Sequence, residues 1–98
     1  MFNGRYALSE FEDRSSAVKA AKQEGVAALN VGGGKHKWLI YMCPCGCGKQ
    51  TALNLMEAYS PKWTVTKESD GSFNLHPSVN NLVCMAHYWI KNSSVQWC

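Results

Sequence analysis

The spacing of apolar positions changes along the chain, and the change sets the expected elements. Early on, the apolar residues are small and helix-compatible: Ala17, Val18, Ala20 and Ala21. Capping residues precede them. Ser9 and Glu12 have capping-box spacing, and Asp13 or Ser15 can serve as well. A helix is expected over 14–24, with Gly25 as its stop. From Val26 the pattern becomes strand-like. Val26–Val31 reads as a short strand, and Gly32-Gly33-Gly34 as a turn. Lys37-Trp38-Leu39-Ile40-Tyr41-Met42 is a continuous aromatic and β-branched run. Further strands are expected at 51–56, 62–67, 73–75, 86–91 and 95–97. Asp70-Gly71 and Asn92-Ser93-Ser94 read as hairpin turns, and Pro77 as the end of the 73–75 strand. These strands should pair mainly antiparallel, with the helix outside the sheet. The fold class is α+β: a small antiparallel β domain with a metal knuckle and one N-terminal helix.

The length of 98 residues is that of a single domain, with a helix-containing segment at 1–37 and a β region at 38–97. A chain this short buries only roughly 60–65% of its unfolded surface, so its core is marginal. Charged residues make up 17% and the net charge is +3, too mild to indicate nucleic acid. No apolar run approaches the ~20 residues of a membrane span. The first residues, MFNGRYALSEFEDR, lack the apolar core of a secretory signal. The expected compartment is therefore the reducing cytoplasm, where clustered cysteines bind metal more often than they form disulfides.

Five cysteines change the picture most. Cys43-Pro44-Cys45-Gly46-Cys47-Gly48 packs three thiols into five residues, with Pro and Gly allowing a tight turn. Cys84 follows thirty-seven residues after Cys47, and His87 stands at C-x-x-H spacing from it. Tetrahedral zinc needs four N or S ligands. Two sets are open: Cys43, Cys47, Cys84 and His87, or Cys43, Cys45, Cys47 and Cys84. Either would make a structural Zn2+ site, because a filled tetrahedron leaves no position for water. Cys98 ends the sequence and is expected to be frayed.

The remaining chemistry is a hydroxyl and an imidazole. Pro77 restrains the backbone just before Ser78, and His87 lies nine residues on. A serine needs a neighbouring base to become a nucleophile. Asn81, Asp70 and Glu57 are candidates for a third group. His76 could replace His87, or simply lie on the surface. Lys35-His36-Lys37-Trp38 forms a small basic and aromatic patch of a kind that can hold phosphate. Trp38, Trp63, Trp89 and Trp97 read as core and interface residues. No dinucleotide fingerprint, Walker loop or H-E-x-x-H motif occurs.

Taken together, CPCGCG at 43–48, Leu53-Asn54-Leu55, Trp63, Pro77-Ser78-Val79, C-x-x-H-Y-W-I at 84–90 and the terminal Trp97 resemble a known family. It consists of small bacterial and phage proteins with that six-residue knuckle. Some stand beside bacterial ubiquitin-like conjugation genes, in place of a JAB-type deubiquitinating peptidase. The resemblance covers residues 38–97. It implies a zinc-stabilised serine peptidase acting on ubiquitin-like proteins. Cys43, Cys45, Cys47 and Cys84 would then be the metal residues, with Ser78 the nucleophile and His87 the base. Where the family commonly has Ser-His, this chain has Ala86-His87; Pro77-Ser78 is the better match for the nucleophile. Two other readings stand beside this one. One is a zinc-ribbon-like protein interaction module. The other is a nucleic-acid-binding zinc domain using Lys35, Lys37, Trp38 and Lys49, which is disfavoured because the basic residues are thinly spread.

Overall fold

A computed structural model describes residues 2–98. Among these residues eight strands form two four-stranded sheets, and one short helix covers the outside of the first. The first sheet has the order β1 (Ala7–Phe11), β2 (Val26–Gly32), β3 (Lys35–Met42), β4 (Gln50–Asn54). The second has β5 (Thr64–Lys67), β6 (Phe73–Asn81), β7 (Ala86–Lys91), β8 (Ser94–Trp97). All strand pairs are antiparallel except β1 with β2, which is parallel. That parallel pair is possible because α1 (Arg14–Ala20) supplies the crossover.

Period-2 alternation sorts the first sheet's side chains between two layers. Ala27, Leu29, Leu39 and Tyr41 face the second sheet and pack with Val65, Phe73, Leu75, Val79, Tyr88 and Ile90. Ala28 and Ile40 face the other way and pack against Ala17 and Ala21 of the helix. At the centre of the main core the Tyr41 and Tyr88 hydroxyls meet at 2.7 Å, joining the sheets. Among the described residues no helix is long and apolar enough to cross a membrane.

Several expectations need correction. The helix is shorter than the expected 14–24, ending at Ala20. Asp13 is its N-cap, accepting from the Ser16 N–H at 2.8 Å, while Ser9 lies on β1. The strand β1 was not expected, because Ala7–Phe11 shows no alternation. Its register rests on backbone pairing, and the buried Asn30 side chain donates to the carbonyls of Phe11, its last residue, and Glu12, the next. The strand expected at 73–75 continues to Asn81 despite Pro77. The register shifts between Leu75 and Val79, so the missing Pro77 N–H falls where the ladder is already broken. Of the tryptophans, Trp63 and Trp38 are half-buried and pack against the two core clusters, Trp89 is half-buried, and Trp97 is 55% exposed.

Candidate active site and metal centre

Cys43 follows the last residue of β3, and its N–H bonds the Lys49 carbonyl, closing the knuckle. Gly46 and Gly48 have φ of +83° and +79°, conformations that glycine adopts without a Cβ clash. The chain thereby turns back and brings the Cys45 and Cys47 thiols to Cys43. Cys84 arrives from the β6–β7 connection of the other sheet. The four Sγ atoms lie within 4.8 Å of one another, with Cys43 3.3 Å from Cys45 and 3.5 Å from Cys84. Four sulfurs around zinc at about 2.3 Å would stand roughly 3.8 Å apart, so the cluster has the dimensions of one tetrahedron. All four thiols are free. Burial pushes the Cys43 thiol up, whereas the Lys49 backbone and then the Cys45 side chain hold the Cys47 thiol down. A cation at the centre would offset the first effect, since only thiolates ligate. These four cysteines could hold a metal ion, and an all-sulfur set suits zinc.

The other candidate residues converge at a bulge in β6. Leu75 pairs with Ile90 and Val79 with Tyr88, so three residues, His76, Pro77 and Ser78, stand opposite Trp89 alone. Val79 turns inward and Ser78 outward. His87 points outward from β7, paired with Asn80. Ser78 Oγ lies 3.3 Å from His87 Nε2. That is looser than the usual hydroxyl bond, as catalytic pairs often are without substrate. Backbone contacts hold both residues. Trp63 Nε1 donates to the Ser78 carbonyl at 3.3 Å, and the Cys98 N–H donates to the His87 carbonyl at 3.0 Å. Cys98 is thus anchored by its backbone, although its side chain is exposed.

The sequence leaves two uses of His87 open, as a metal ligand or as a base. Its Nε2 faces Ser78, and the metal-sized cluster among the described residues contains only the four cysteines. His76 packs its ring on Trp89, with centroids 5.9 Å apart. None of the three candidate third groups reaches His87. Asn81 binds the Val83 N–H, Asp70 binds Ser72, and Glu57 pairs with Lys62. Asn80, directly across from His87, was missed by the sequence reading. Only the pairing register places it there, and residue spacing does not reveal that register.

A family model described as "Bacterial ubiquitination-like system serine protease (BubE)" matches residues 12–98. No curated protein and no solved structure matches the chain.

Proposed function

The chain belongs to the family of bacterial ubiquitination-like system serine proteases, and we propose that it is a peptidase in which Ser78 is the nucleophile and His87 its general base. The observation that carries this reading is the 3.3 Å contact between Ser78 Oγ and His87 Nε2 on an open face of the second sheet. Ala86 adds support. It is buried, on the opposite side of β7 from His87, so a hydroxyl at that position would point into the core.

In this mechanism His87 Nε2 takes the Ser78 proton as Oγ attacks the scissile carbonyl carbon. The tetrahedral intermediate collapses, the C–N bond breaks, and His87 returns the proton to the leaving amine. Water, deprotonated by His87, then attacks the acyl-serine ester. The C–O bond to Ser78 breaks, releasing a carboxylic acid and restoring the hydroxyl. The substrates are ubiquitin-like proteins or their conjugates. Cys43, Cys45, Cys47 and Cys84 would hold one zinc ion, which would supply stability rather than take part in bond cleavage, since all four ligands would come from the protein. Such thiolates stay available to metal in a reducing cytoplasm.

One observation favours a second reading, the protein interaction module: no carboxylate contacts His87 among the described residues. A fluorophosphonate probe separates the two. The peptidase reading expects covalent labelling that maps to Ser78 and disappears in His87→Ala. An unlabelled native protein supports the interaction module.

A further inference from the structure

At Trp63 the sandwich opens into a groove of ≈ 730 Å³ between the start of β3, the start of β5 and the segment 55–62. Met56, Tyr59 and Trp63 give its lining apolar surface, and Lys35 and Lys37 line it as well. Trp63 is the link to the chemistry, since its indole N–H bonds the carbonyl of Ser78. The charges are unbalanced. Glu57, the one acid lining the groove, pairs with Lys62, whereas Lys35 and Lys37 have no acidic partner among the described residues. Tyr59 is 63% exposed, a large ring left in solvent where apolar contact is available.

We propose that this groove seats an acidic, extended segment of the protein substrate, laid past Trp63 towards Ser78 with its carboxylates at Lys35 and Lys37. The proposal rests on the serine-peptidase reading and names where such a substrate is held. Complementary charge attracts the segment and sets its direction, and the apolar lining gives it area to bury. Nucleic acid fits less well. The Arg14 guanidinium lies 4.6 Å over Trp38, covering that ring face against a stacking base. Lys49 belongs to the knuckle rather than to the groove.

The test compares native protein with Lys35→Glu/Lys37→Glu and with Tyr59→Ala, all as the full chain. Two readouts are needed: binding of a fluorescein-labelled Asp/Glu-rich peptide containing one Phe, and the rate of Ser78 labelling by a fluorophosphonate. The double variant should bind the peptide about tenfold more weakly, the sum expected for two reversed rim charges. Tyr59→Ala should weaken it as well, and added salt should reduce the difference between native protein and double variant. Ser78 labelling should be unchanged in both variants, showing an intact site. Equal peptide binding in all three proteins overturns the proposal. So does single-stranded DNA of the same length displacing the peptide at lower concentration than unlabelled peptide does. Failure of the native protein to label at Ser78 instead overturns the peptidase reading, and the peptide result then judges the groove separately.

Discussion

Tyr41 and Tyr88 show how one residue pair is set by its surroundings. Their hydroxyls meet at 2.7 Å inside the core, and desolvation by burial pushes both phenols above their ordinary pKa. Both therefore stay protonated across the working pH range. Truncating one leaves the other hydroxyl buried without a partner, which costs roughly 1–3 kcal/mol, while removing both avoids that penalty. Tyr41→Phe should thus lower stability to denaturant, and Tyr41→Phe/Tyr88→Phe should lose less than the sum of the single changes. Additive losses would show that the hydroxyls act independently. At this scale the sequence was most legible for chemistry-bearing types. Cys43, Cys45, Cys47 and Cys84 announce themselves by spacing, and the structure puts their sulfurs within 4.8 Å. Among the tryptophans Trp97 misled, because size and hydrophobicity do not distinguish a packed residue from an exposed one. Trp63 and Trp89 each give one edge or face to a polar partner: Ser78 at one, His76 and Lys91 at the other.

Elements follow the sequence where local physics dominates and depart from it where pairing does. The helix begins where Asp13 can cap it. The hairpin turn at Asn92 and Ser93 has φ of 51° and 65°, the left-handed values that a two-residue turn requires. By contrast β1 is invisible locally, since it is held by β2 and by Asn30. Asn30→Ala removes two side-chain hydrogen bonds to carbonyls and should cost roughly 1–3 kcal/mol. Hydrogen exchange should then rise first in β1, and uniform acceleration throughout the fold would contradict this. The helix cap carries its own pH signature. The Ser15 hydroxyl, then the Ser16 backbone N–H, hold the Asp13 carboxyl below its usual range. A lowered folded-state pKa means the stabilisation is complete above the ordinary carboxylate value and fades as pH falls through the folded-state one. Asp13→Ala should therefore reduce the melting temperature at pH 7, with the gap closing below about pH 4. A gap independent of pH would assign the effect to something other than the ionised cap.

At the scale of the whole molecule the cysteine cluster joins what the backbone leaves apart. Cys43, Cys45 and Cys47 follow β3 of the first sheet, and Cys84 precedes β7 of the second, three residues before His87. A metal there would staple the two sheets at one end and steady the hairpin that carries His87. Zinc binding in small finger peptides is worth ~10–16 kcal/mol, large against a core this small. Chelation should accordingly lower the melting temperature and slow Ser78 labelling together, with both restored by added zinc. A protein that keeps its melting temperature after complete zinc removal would contradict the staple. The sandwich itself was only partly legible. Strand runs and turns could be read, but their division into two sheets depends on long-range pairing that periodicity does not encode.

The most direct test of the account is cleavage of a ubiquitin-like conjugate by native protein, Ser78→Ala and His87→Ala, with zinc content and melting temperature measured on the same samples. The account predicts that each variant loses cleavage by at least about a thousandfold while keeping one zinc per chain and a nearly unchanged melting temperature. Unchanged cleavage by Ser78→Ala, or loss of zinc from His87→Ala, would contradict it.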